Sequence, residues 1–129
     1  MSSVTLTPLS GGLASGAPCY LLEIDDCTLL LDCGWDMSMD SRQLELLGSV
    51  AERVDAVLIS HASLSYIGAL PYAVEKLGLT ATVYATLPVA RMGTFLFLQS
   101  GGVYSLRPGL RWEMECVWLC VYVCVCVCV

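Results

Sequence analysis

VDAVLISHASLSYIGALPYAVEKLG, residues 54–78, is the stretch on which the fold turns. Residues 54–60 form a continuous apolar run, the pattern of a strand buried on both faces. HASLSYIG reads as a loop, and residues 69–78 as a short helix closed by Gly78. A strand that turns into a helix directs the side chains at its C-terminal end into the crevice where α/β proteins bind ligands. Here that end is Ser60 and His61. A metal centre at this place needs several His and Asp residues within about six positions, because Zn²⁺ takes three or more imidazole or carboxylate ligands at ~2.0–2.2 Å.

Working outward from this unit, residues 19–24 (CYLLEI) and 27–32 (CTLLLD) are apolar runs separated by Asp25 and Asp26. That is a hairpin with a polar two-residue turn. Upstream, residues 3–8 alternate as a short strand, and the Gly-rich stretch through Pro18 reads as a loop. Between hairpin and central strand, residues 39–48 have a helical stripe (Leu44, Leu46, Leu47). Asp40 or Ser41 is placed to cap this helix and Gly48 to stop it. Downstream, residues 81–86 form another strand, and Pro88 opens a further helix through Met92. The order β, β-hairpin, α, β, α, β, α predicts an α/β domain. Five short strands with helices on one side do not close a core alone, so residues 1–94 read as roughly the opening third of a larger α/β domain.

The chain has 129 residues and a formal net charge of −6, and its six Lys and Arg are scattered. No basic stripe exists to neutralise phosphates, so if the protein serves RNA this segment is not the part that grips it. The hydrophobic fraction is 57%, against about 45–50% in ordinary domains, and the excess lies towards the C-terminus. Three cysteines (Cys19, Cys27, Cys33) fall in the first 115 residues and five in the last 14. The opening MSSVTLTPLSGG lacks the basic and apolar regions of a signal peptide, so reduced, intracellular cysteines are expected rather than a disulfide framework.

Four segments, LLDCGWD (30–36), DAVLISH (55–61), GALPYAVEKLGL (68–79) and VYATLPVARMG (83–93), occur in an order and spacing that resemble the second subunits of the cleavage and polyadenylation specificity factor, a family of the metallo-β-lactamase fold. The resemblance covers about residues 3–94. It implies an incomplete αββα sandwich, the N-terminal part of one half only. The metal-binding motif of active members of the fold reads His-x-His-x-Asp-His. On that motif His61 takes the first His position, Ser63 the second, Ser65 the Asp and Tyr66 the third His. One imidazole beside two alcohols and a phenol supplies neither the charge nor the donor strength that Zn²⁺ requires. Without metal there is no bound water with its pKa lowered to ~7 to attack a phosphate. His61 is the only histidine in the chain. These four are therefore vestigial positions, and no catalytic residue, metal or cofactor is expected.

For His61, a strand-end histidine hydrogen-bonded to the neighbouring loop outweighs a residual ligand. Asp32 occupies the family's strand-end acid position, which orients ligands or loop amides. With no metal expected, a side-chain cap on the Cys33-Gly34 turn is the favoured reading. Trp35 and Tyr66 are expected in the core rather than on an interaction surface. Asp25, Asp26, Asp36 and Asp40 are expected on a solvated face. From Glu23 to Asp40 there are six acids and no base, an arrangement that repels RNA.

The resemblance implies a nuclear, non-catalytic structural subunit of the pre-mRNA 3′-end cleavage and polyadenylation complex. Its implied partners are a nuclease subunit of the same fold and other cleavage and polyadenylation factors, with pre-mRNA met through the complex and no membrane involved. The alternative is a metal-dependent RNA hydrolase of the same fold, which needs ligands this segment lacks.

Residues 95–129 read as an unrelated apolar tail ending in VWLCVYVCVCVCV (117–129). As a strand this would place Cys116, Cys120, Cys124, Cys126 and Cys128 on one face. Cysteines two apart on a strand diverge poorly for tetrahedral metal binding. Thirteen apolar residues fall short of the ~20 that span a bilayer. Read-through into an alternating TG nucleotide repeat, which encodes Val-Cys in every frame without a stop codon, accounts for the pattern best. A β-branched, proline-free run of low charge also predicts poor solubility.

Overall fold

The computed structural model describes residues 3–12, 16–36, 41–99 and 112–113. Its strands are β1 (Val4–Ser10), β2 (Cys19–Ile24), β3 (Cys27–Leu31), β4 (Ala56–Ile59), β5 (Thr82–Ala85) and β6 (Trp112–Glu113). Between and after them lie α1 (Glu45–Val50), α2 (Leu64–Ile67), α3 (Leu70–Lys76) and α4 (Leu87–Gln99), with short 3-10 turns at Ser41–Leu44 and Ala51–Arg53. The expected cap at Asp40 and the Val/Cys run of residues 117–129 lie outside the described residues.

The strands form one mixed sheet in sequence order. β1, β2 and β3 make an antiparallel meander, and β3 through β6 run parallel. The hairpin read from the sequence is present. Asp25 alone of its two turn residues has a positive φ, +50°, a region that Asp tolerates better than most residues. The turn is tied down from outside: the Ser3 N–H donates to Asp25 Oδ1 at 2.9 Å. At the other seam, Asp55 aligns β4 with β3. Its Oδ2 accepts from the Thr28 N–H at 2.7 Å, and its own N–H donates to the Thr28 carbonyl at 2.8 Å.

The register explains the core. Leu21 faces Leu30, Leu30 faces Val57, and Val57 faces Val83, so one buried apolar residue from each of four strands forms a row across the sheet. Leu47 of α1, Ile67 of α2, Leu70 and Ala73 of α3, and Ala90 of α4 belong to the same buried cluster. The parallel connections advance in one direction across the sheet, and right-handed crossovers then put their helices on one face. The opposite face has Tyr20, Leu31, Leu58 and Tyr84 in register, and all four are half-buried. The central strand therefore alternates buried and half-buried residues, instead of being buried on both faces as expected.

Three helix limits differ from the sequence reading. Gly48 lies inside α1 rather than ending it. The chain continues through a 3-10 turn and becomes extended only at Val54. The segment read as a loop before Gly68 contains α2, because the Ser63 carbonyl accepts the amides of Tyr66 and Ile67 at 2.9 Å each and Ile67 is drawn fully into the core. The helix read as ending near Met92 runs on to Gln99. Gly78 does end α3, at φ +75°, a conformation glycine takes without a Cβ penalty, and the Leu79 N–H folds back onto the Ala73 carbonyl at 3.0 Å.

Candidate functional site: a strand-end loop pair

Two loops leave neighbouring parallel strands on the same side: residues 32–36 after β3 and residues 60–63 after β4. Asp32 is the hinge of the first. Its N–H still follows the ladder, donating to the Leu58 carbonyl at 2.9 Å, but its φ is +58°, the left-handed region that Asp tolerates better than most residues. This turn aims the carboxylate across at β4. There Oδ1 accepts the Ser60 N–H at 2.8 Å, and the Ser60 hydroxyl lies 2.9 and 2.8 Å from the two carboxylate oxygens. The side chain thus holds the neighbouring loop and does not cap its own turn, which corrects the reading favoured from sequence. The turn's amides are satisfied elsewhere: Gly34 N–H donates to the Pro18 carbonyl at 3.1 Å and Trp35 N–H to the Leu64 carbonyl at 3.3 Å.

The remaining contacts stitch residues 33–35 to α2. The Cys33 N–H donates to the Tyr66 carbonyl at 2.8 Å, and the Cys33 carbonyl accepts the Ala69 N–H at 3.0 Å. Gly34 is required by this approach. A Cβ there would overlap the Ser65 carbonyl oxygen and stand 2.9 Å from the Ala17 Cβ. Trp35 is buried, as expected, with its ring 5.2 Å from that of Tyr72. Tyr66 is half-buried and packs on the core. Sequence reasoning missed the contact of Cys33 with Cys19. Both thiols are buried, and their hydrogen bond, the burial itself, and then the nearby charges of Cys19 and Asp32 push the Cys33 thiol well above its usual range. Cysteines 14 positions apart give no local spacing signal; only the pairing of β2 with β3 brings them together.

Of the motif positions, His61 and Ser65 are exposed, while Ser63 is half-buried at the start of α2. His61 makes an edge-on ring contact with Tyr66 at 5.4 Å. Ser63 uses its backbone carbonyl to start α2, and its hydroxyl makes no capping bond. The donors at these positions are one imidazole, two alcohols and a phenol, and that set does not fit Zn²⁺. Among the described residues, no three His, Cys, Asp or Glu side chains come together in a way that could hold a metal ion. Asp25 and Asp26 are exposed, as expected for the acidic run, and Asp36 is half-buried.

A family model described as a metallo-beta-lactamase superfamily domain matches residues 21–105. The chain belongs to this superfamily. It is similar to cleavage and polyadenylation specificity factor subunit 2 of Oryza sativa subsp. japonica, with 53% identity over 92 residues, covering 71% of this chain and 12% of that protein. The probable cleavage and polyadenylation specificity factor subunit 2 of Drosophila melanogaster is 47% identical over 92 residues, with the same coverage of 71% and 12%. This member of the superfamily thus spans about an eighth of the length of the curated relatives it matches. Among solved structures, the metallo-beta-lactamase fold protein YhfI from Bacillus subtilis superposes with a TM-score of 0.54 at 20% identity, covering 84% of this chain and 44% of that one. That likeness is one of fold. Among the described residues, no helix is long and apolar enough to cross a membrane.

Proposed function

We propose that the chain is the N-terminal piece of a non-catalytic, structural subunit of the nuclear complex that cleaves and polyadenylates pre-mRNA 3′ ends. One observation carries this reading. A chain 53% identical to a specificity factor subunit 2 over 92 residues has Ser63, Ser65 and Tyr66 in the motif positions where active members of the superfamily hold metal ligands. His61, the one imidazole there, is exposed at a strand end. The donor set fails for zinc, so no hydrolytic step is assigned to it. What the site does instead is structural. Asp32, which in this fold sits beside the metal pocket, spends its carboxylate on the Ser60 amide and hydroxyl and thereby locks β3 to the β4 loop.

In this account the partners are the nuclease subunit of the same fold and the other 3′-processing factors. RNA is met through the complex, because the six basic residues of the chain are scattered and the net charge is −6. The test is recovery of the tagged full chain from cells, followed by incubation of the purified chain with zinc and a poly(A)-site RNA. Nuclear enrichment with 3′-processing factors and an intact RNA are expected. Cleavage of the RNA by the purified chain, or recovery without any of those factors, would overturn the proposal.

A further inference from the structure

The outer edge of β1 carries a pattern that is complementary to itself. Among the described residues β1 is the edge strand of the sheet, paired with β2 on one side, and Val4 through Pro8 are all exposed, Val4 by 66% and Leu6 by 59%. The direction of its backbone groups follows from one pair. The Ser3 carbonyl accepts the Asp25 N–H at 3.1 Å, so Ser3 turns its polar groups towards β2. In an antiparallel ladder such pairs recur every second residue. Thr5 and Thr7 therefore also face β2, and Val4, Leu6 and Pro8 present their amides and carbonyls to the open edge. Pro8 obeys this rule, since the one ring nitrogen without a proton stands where no ladder bond is required.

We propose that this edge pairs with the β1 edge of a second copy of the chain, antiparallel and about a two-fold axis through Leu6. Each Leu6 N–H then donates to the Leu6 carbonyl of the other copy, and each Val4 N–H donates to a Pro8 carbonyl. That makes four bonds, and the two missing ones are those Pro8 has no proton to give. Val4, Leu6 and Pro8 share one face of the strand, so the same register places an unbroken apolar row across the axis, with Leu6 against Leu6 and Val4 against Pro8. Charge favours this meeting place as well. The chain has a net charge of −6, yet VTLTPLS (4–10) holds no ionisable side chain, so two copies approach here without like charges opposed. A two-fold pairing of this kind is closed and uses one patch twice. The bulge between Pro8 and Ser10 ends the pairable stretch.

Sedimentation of the full chain from low micromolar concentration upward, with circular dichroism to confirm folding, tests the proposal through two prolines. Leu6→Pro removes two intermolecular donors and none that face β2, so it is expected to raise the dimer dissociation constant by about tenfold or more. Pro8→Ala supplies the two missing donors and is expected to lower it by about tenfold. If Leu6→Pro does not fold, Pro8→Ala decides alone. A monomer at every concentration overturns the proposal, as does association that Pro8→Ala leaves unchanged. The second result would place the contact at another segment.

Discussion

Asp32 joins two functions that are separate in most residues: it bends the backbone into the left-handed region and it brings a carboxylate to the amide and the hydroxyl of Ser60 on the neighbouring loop. The amide and hydroxyl contributions can be separated by substitution. Ser60→Ala removes the hydroxyl and leaves the amide bonded, and should lower stability in denaturant by about 1 kcal/mol. Asp32→Ala removes the acceptor of both Ser60 donors and leaves the Ser60 amide unpaired as well, so it should cost about 1 kcal/mol more than the serine change. Equal effects of the two would mean that the carboxylate does not hold the Ser60 amide. Cys33 gives a second handle at this scale. Its thiol, hydrogen-bonded to Cys19 and buried, is pushed up in the folded chain. Above about pH 8.5 the unfolded thiol releases its proton while the folded one keeps it, so the folded state binds more protons and stability falls as pH rises. Urea midpoints between neutral and alkaline pH should decline, and Cys33→Ala should flatten the decline. A midpoint that rises with pH would reverse the assigned sign.

At the scale of elements, what was legible followed from chemistry local in sequence. The hairpin was readable because two apolar runs flank two polar residues, and the stop at Gly78 because glycine alone enters φ +75° freely. Gly48 misled because glycine stops a helix where it takes a positive φ, as Gly78 does, whereas at Gly48 the backbone keeps its helical turn. α2 was hidden because a single turn has no periodicity to detect, and its formation depends on burying Ile67. The half-buried side of β4 was hidden too, because an apolar run does not state how many faces are covered. The candidate site divides in the same way. The identities at positions 61, 63, 65 and 66 were legible in order, whereas the Asp32–Ser60 brace and the Cys19–Cys33 contact depend on strand pairing between distant segments. Gly34 tests how tightly the two strand-end loops are joined. Gly34→Ala drives a Cβ into the Ser65 backbone, which cannot swing aside as a side chain would, and should cost about 3 kcal/mol by thermal or chemical unfolding. A loss well under about 1 kcal/mol would show that the loop and α2 slide apart easily.

For the whole molecule, the distribution of cover sets the behaviour. Helix residues share one buried cluster with the row Leu21, Leu30, Val57 and Val83, the other face presents Tyr20, Leu31, Leu58 and Tyr84 half-buried, and the 92 matched residues cover 12% of the rice relative. A sheet with one covered face and an uncharged, exposed edge strand belongs in a larger body or against another copy, which joins the structural role to the proposed pairing at β1. The proposal on which the rest depends is that the strand-end loop, which holds metal in active relatives of this fold, lacks the donors to do so in this chain. Zinc titration by calorimetry of the reduced full chain, run beside His61→Ala, tests it directly, because thiol-bound zinc is indifferent to His61. The account expects identical isotherms for the two proteins. A stoichiometric zinc ion bound by the natural chain and lost in His61→Ala would contradict it.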